Sequence, residues 1–138
     1  MMDCLIVGDS IAVGLSDFRR ECVTISKSGS SSKGWSISNI NRPALNTVDY
    51  NTAVISLGSN DGLHIETYEF LTEIRSVISA KTVFWIMPAI KPNVQDIILK
   101  LARRYGDKIV YIKDLSRDGV HPTVNGYKWL SYDTQISQ

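Results

Sequence analysis

Five short apolar runs punctuate the chain, at residues 4–7, 23–26, 53–57, 82–87 and 109–112. Several are continuous rather than alternating, the pattern of strands buried on both faces of a parallel sheet. Between them apolar residues recur at helical spacing. Ile11, Gly14, Leu15 and Phe18 mark a first helix. Phe70, Leu71, Ile74, Val77 and Ile78 mark another, and Val94, Ile97, Ile98, Leu101 and Tyr105 a third, which Gly106 is placed to end. Residues 123–132 predict a closing helix. The span 35–50 is less regular, because Pro43 interrupts it and Asn39, Asn41 and Asn46 dilute the pattern; one short helix and much loop are expected there.

Strands alternating with helices through short connections predict an α/β fold: a three-layer α/β/α sandwich with right-handed crossovers. For five strands the natural parallel order is 2-1-3-4-5, which sets the carboxyl ends of strands 1, 2 and 3 side by side. No repeat or linker divides the 138 residues, so a single domain is expected. The serine-rich stretch 28–32 is too short to separate domains.

Charge narrows the partners. The net charge is +1, and the longest basic runs are the pairs Arg19-Arg20 and Arg103-Arg104, so nothing asks for nucleic acid. No apolar stretch approaches a membrane span. The first strand begins too early to leave room for a signal peptide, which predicts a cytoplasmic protein, or one exported by a route without an N-terminal signal. Cys4 and Cys22 fall near the starts of neighbouring strands, close enough for a bridge. Without an oxidising context, two buried reduced thiols are the expected state. Neither spacing nor count suggests a metal site.

Candidate chemistry lies in the loops after the first three strands, which open on one crevice in such a sheet. Ser10 follows the first strand in Gly8-Asp9-Ser10-Ile11, where a strand hands over to a helix. Asp9 or Ser10 can serve as a helix N-cap there, and Ser10 equally suits a nucleophile beside free helix N–H groups. Gly29, after the second strand, is either a loop glycine or a site where a backbone N–H approaches a substrate oxygen; Gly34 competes with it. Asn60, in Gly58-Ser59-Asn60-Asp61, is either a turn residue or an oxyanion donor. Near the C-terminus, Asp118-Gly119-Val120-His121-Pro122 places a carboxylate three residues before a histidine. In a tight loop the carboxylate accepts from one ring nitrogen while the other faces a nucleophile. His64 has no such companion and reads as structural. Gly126 falls inside the closing helix, which suggests close packing on the sheet.

Taken together, these four pieces resemble the blocks of the SGNH hydrolases, also called the GDSL esterase/lipase family. Block I is Gly8-Asp9-Ser10-Ile11, with isoleucine for the family's leucine; block II centres on Gly29; block III is Gly58-Ser59-Asn60-Asp61; block V is Asp118-Gly119-Val120-His121. The blocks occur in the family's order over nearly the whole chain. The resemblance implies a flavodoxin-like sandwich with Ser10 as nucleophile, His121 as general base and acid, and Asp118 orienting His121. It implies an oxyanion hole made of the Ser10 and Gly29 backbone N–H groups and the Asn60 amide, with no metal and no cofactor.

The expected reaction is serine-dependent hydrolysis of small acyl esters through an acyl-enzyme, with a small-molecule or carbohydrate ester as substrate. O-acetylated carbohydrate suits the polar residues Ser30, Ser31 and Ser32 beside the site. Trp35 and Trp85 are candidate stacking surfaces, although core packing is the commoner role. A lysophospholipase or thioesterase is the alternative, with an acyl groove built from Leu63, Ile90 and the closing helix. A catalytically idle glycan- or partner-binding domain is another. A phosphate-binding reading of residues 8–14 lacks the glycine spacing it needs. The crevice should be shallow and open, because the chain leaves no length for a lid.

Overall fold

The computed structural model describes residues 1–135. Its elements in order are β1 (Met2–Gly8), α1 (Ser10–Ser16), β2 (Val23–Ser26), α2 (Ser32–Asn39), α3 (Pro43–Asn46) and β3 (Asp49–Ser56). There follow α4 (Thr67–Ser76), β4 (Ser79–Met87), α5 (Pro92–Tyr105), β5 (Lys108–Tyr111) and α6 (Val124–Asp133). The five strands form one sheet in the order β2-β1-β3-β4-β5, and every pairing is parallel. Architecture and strand order are those expected from the apolar runs.

Each face of the sheet carries its own core. Leu5, Val7, Ala53, Ile55 and Trp85 pack with Trp35 of α2, Leu71 and Ile74 of α4, and Val94, Ile98 and Leu101 of α5. On the other face Ile6, Val54, Phe84 and Ile86 pack with Ile11 and Leu15 of α1 and Leu130 of α6. Alternate residues of one strand thus serve opposite cores, which is why the central strands read as unbroken apolar runs. Among the described residues no helix is long and apolar enough to cross a membrane.

Two local expectations need correction, and the tryptophans take the commoner of their two expected roles. The span 35–50 holds two helices rather than one, because Pro43 opens α3 at its first turn, where the missing N–H costs nothing, instead of breaking a longer helix. Both tryptophans lie in the core and offer no stacking surface. Trp35 donates its indole N–H to Ile25 O at 3.0 Å and Trp85 donates to Asp107 Oδ2 at 2.8 Å, so each buried polar atom is satisfied. Finally, Cys4 and Cys22 are joined in a disulfide, with their Cα atoms 4.6 Å apart, not held as free thiols. The cause is register: Leu5 pairs with Val23, which brings the residues just before them together as well. The bridge closes a loop containing the second half of β1, Ser10 and α1. A loop of that size contributes roughly 3 kcal/mol by restricting the unfolded chain.

Candidate active site

Ser10 occupies the first position of α1, immediately beyond the carboxyl end of β1. Gly8 allows the turn. Its φ is +146°, and a Cβ there would stand 1.9 Å from the Ser56 carbonyl oxygen on β3, so only glycine lets the two strands approach this closely. Asp9 then caps the helix, accepting from Ile11 N–H at 3.0 Å and from Ser56 Oγ at 3.1 Å. Its own N–H donates to Ser56 O. The cap role of this stretch therefore falls on Asp9 and leaves the Ser10 hydroxyl free of it.

Asp9 is buried, and its Oδ2 has no partner among the described residues. Burial pushes its carboxyl up to about 6, against the lowering effect of its hydrogen bonds to Ile11 N–H and Ser56. A folded-state value raised above the unfolded 3.8 gives stability that is full below pH 4 and is lost as pH rises through about 6. Asn at this position keeps the accepting oxygen without the charge. Denaturant unfolding of Asp9→Asn is expected to show a gain on wild type at pH 8, of the order of 2–3 kcal/mol, that vanishes by pH 4. A difference independent of pH would contradict the assignment.

His121 reaches Ser10 from the loop between β5 and α6. Ser10 Oγ lies 2.7 Å from His121 Nε2, and His121 Nδ1 lies 2.6 Å from Asp118 Oδ2. Asp118 holds its loop together as well. Its Oδ1 accepts from Val120 N–H at 2.8 Å, His121 N–H at 2.9 Å and Ser116 Oγ at 2.9 Å. The His121 and Val120 backbone donors, followed by the His121 ring and Ser116, hold the Asp118 carboxyl far below the usual carboxylate range. An ionised carboxylate only accepts, so the proton between the two side chains sits on Nδ1 and leaves Nε2 as acceptor for the Ser10 hydroxyl. An antiparallel bridge between Leu115 and Pro122 and the Ser116 N–H to His121 O bond close the base of the loop.

Gly126 packs against this loop, not against the sheet. A Cβ on it would meet Asp114 O at 2.3 Å and Pro122 Cβ at 2.9 Å. The glycine thus lets α6 support the segment that delivers His121.

The donor loops converge on the same end of the sheet. Lys27 N–H donates to Gly8 O at 3.0 Å, tying the start of the Gly29 loop to the turn beneath Ser10. Gly29 has φ +82° and open space on its Cβ side. Its N–H has no partner among the described residues, whereas Gly34 N–H is spent on the Ser31 Oγ cap of α2 at 3.0 Å. That distinguishes the two glycines. Asn60 Nδ2 donates to Ser30 O at 3.0 Å, which joins the two donor loops and commits one of the two amide hydrogens.

Beneath that contact Asp61, which is buried, accepts from Ser32 N–H at 2.8 Å and from Thr67 Oγ1 at 2.7 Å. Its carbonyl accepts from Lys91 Nζ at 2.8 Å, and Lys91 is the one described non-glycine residue with positive φ, at 68°. Asp61, Lys91 and Ser116 are supporting residues that sequence reasoning missed. Only Asp61 carried a signal, as the last residue of Gly-Ser-Asn-Asp.

The site is open: the His121 and Asp118 side chains keep 41% and 50% of their surface in solvent. Leu63 and Ile90, expected in an acyl groove, are exposed. A partly apolar pocket of about 380 Å³ lies instead at the ends of β4 and β5, lined by Met87, Pro88, Leu99, Ile112 and Leu115 together with the polar Gln95 and Asp96.

No protein-family model matches the chain, and no protein of curated function matches it by sequence. Solved structures do. A GDSL-like lipase from Bacteroides thetaiotaomicron VPI-5482 superposes with a TM-score of 0.67 at 18% identity, over 94% of this chain and 84% of that one. A lipase/acylhydrolase from Enterococcus faecalis gives 0.68 at 16% identity, over 95% and 92%. The psychrotrophic esterase EstA from Pseudoalteromonas sp., in a structure inhibited by monoethylphosphonate, gives 0.64 at 17% identity, over 97% and 96%. The chain has the fold of the SGNH hydrolases.

Proposed function

We propose that the protein is a serine ester hydrolase in which Ser10 is the nucleophile, His121 the general base and acid, and Asp118 the residue that orients His121. The observation that carries this reading is the unbroken chain from Ser10 Oγ to His121 Nε2 at 2.7 Å and from His121 Nδ1 to Asp118 Oδ2 at 2.6 Å. Three side chains from two distant segments meet in the order the chemistry requires.

In the first half of the reaction Ser10 Oγ attacks the ester carbonyl as His121 Nε2 takes its proton. The developing oxyanion is received by the Ser10 and Gly29 backbone N–H groups and the second hydrogen of the Asn60 amide. Collapse expels the alcohol, which leaves with the proton from His121. Water, deprotonated by the same imidazole, then releases the acid and restores Ser10. Asp118 stays anionic throughout and stabilises the imidazolium in both halves.

Small acyl groups, acetyl first among them, on a polar carrier fit the open site and the hydroxyl-rich 28–32 segment. A second reading, hydrolysis of longer acyl chains as in lysophospholipases and thioesterases, draws support from the partly apolar pocket at Leu99 and Leu115, because Leu115 sits at the base of the His121 loop. The two are separated by nitrophenyl esters of increasing chain length. Wild type is expected to favour acetate and butyrate, and a maximum at eight carbons or more would favour the second reading. With either ester Ser10→Ala is expected to abolish turnover. Wild-type rates in that variant would sink the proposal.

A further inference from the structure

A second cavity system begins at the Gly29 loop and runs away from the Leu99 pocket. One part, about 250 Å³, is lined by Lys27, Gly29, Ser31 and Ser38 among others. A larger part, about 390 Å³, continues along the β2 edge to Asn39 and Arg42. Lys27 and Ser38 line both, so the two are one groove. Ligand sites of this volume, about 300 Å³ upwards, are usually apolar with a few polar groups. This one is lined almost wholly by hydroxyls, an amide and two cations.

The two cations are poised for a ligand. Arg42 donates Nε to Asn39 Oδ1 at 2.8 Å, which orients the guanidinium and leaves its outer nitrogens without partners among the described residues. Lys27 has no side-chain partner among them either, while its backbone N–H anchors it to Gly8 O, two residues before Ser10. None of the groove-lining residues is acidic. A net charge of only +1 means that this positive pair is a local feature and not the reflection of a basic surface.

We infer that the groove binds the polar carrier of the ester, and that this carrier is a polyhydroxylated molecule bearing an anionic group, an O-acylated acidic carbohydrate, whose anion lies between Lys27 and Arg42. The inference rests on the ester-hydrolase reading for its chemistry, but the groove's ligand preference stands apart from it. Serine hydroxyls at 28, 30, 31 and 38 both donate and accept, as sugar hydroxyls require. Arg42 supplies a planar pair of donors for a carboxylate or a phosphate ester. Gly29, whose N–H is a proposed oxyanion donor, lines the groove, so a sugar seated over Lys27 and Ser38 would direct an acyl ester toward the end of the sheet that carries Ser10.

The test uses the full chain and an unacylated ligand, so that it does not depend on turnover. Amide shifts are followed by NMR during titration with a galacturonic acid trimer, a sugar phosphate, and a neutral xylose trimer. Shifts at Gly29, Ser31 and Ser38 are expected with an anionic ligand, at an affinity about tenfold above the neutral trimer. The carboxylate and phosphate arms tell the two anions apart. The preference should fall to about twofold or less in Lys27→Met/Arg42→Gln, and in wild type at 0.5 M salt, since exposed charge pairs are screened. Equal affinity for acidic and neutral trimers, or shifts confined to the Leu99 pocket, would overturn the inference. So would a preference that survives both the double variant and salt. Labelling of Ser10 by a phosphonate, measured on the same sample, reports separately on the hydrolase reading.

Discussion

His121→Ala is expected to lower kcat for a short nitrophenyl ester by about ten-thousandfold while leaving KM nearly unchanged. The imidazole touches the Ser10 hydroxyl and, in the proposed reaction, the departing alcohol, and neither contact is worth much in the ground state. Without it the hydroxyl keeps its proton, and only the backbone donors and Asn60 remain to stabilise the transition state. In the proposed mechanism Ser10, His121 and Asp118 act as one chain, so their removal should not be additive. The double variant Ser10→Ala/His121→Ala should be no slower than the slower single variant. Asp118→Asn should also lose several thousandfold, since an amide no longer fixes the tautomer with Nε2 free. A His121→Ala enzyme within tenfold of wild type, or one in which only KM moves, would mean that the 2.7 Å contact with Ser10 is structural.

The largest effect on stability is expected from Gly8→Ala. The added methyl would stand 1.9 Å from the Ser56 carbonyl oxygen and 2.7 Å from its carbon, at a φ of +146° that side chains avoid. Neither atom can move without breaking the β1–β3 ladder, in which Gly8 pairs with Ser56. The cost should exceed about 4 kcal/mol, enough to lower Tm by 10 °C or more. Gly29→Ala provides the comparison. Its φ is also positive, but nothing lies within 4 Å, so backbone strain of about 1–2 kcal/mol is the whole cost. Thermal melts followed by circular dichroism would show the ranking. Equal Tm values for the two variants would contradict the close approach at Gly8.

Much of this arrangement is legible in residue order. Strands buried on both faces announce themselves as unbroken apolar runs, and the loops that follow the first three open on one crevice by topology alone. Asp118 and His121 are three residues apart, so their meeting is a local event that a sequence can display. Their meeting with Ser10 is not local, and only the company of the other blocks suggests it.

What escaped the sequence depended on contacts between distant segments. The sequence sets Cys4 and Cys22 on neighbouring strands, but only the register of β1 against β2 brings them opposite each other, and the bridge replaces the expected thiols. Lys91 reaches Asp61 across the fold, from a left-handed position that no local signal marks. Gly126 is a close-packing residue as its place in the helix suggests, but its partner is the loop at Asp114, while Leu130 of the same helix packs on the sheet. Pro43 misled for the opposite reason, since a proline that breaks one helix is also well suited to begin the next.

The central claim is that Ser10 is an activated nucleophile, and the most direct measurement is covalent capture. The similar esterase EstA is inhibited by monoethylphosphonate. Incubating this protein with an activated ethylphosphonate and mapping the adduct by peptide mass spectrometry should give one phosphonate on Ser10. It should be lost in Ser10→Ala, and labelling should slow by about a thousandfold or more in His121→Ala. An unmodified Ser10 under conditions that label a known serine esterase, or label spread over the exposed serines at 28, 30 and 31 irrespective of His121, would contradict the account.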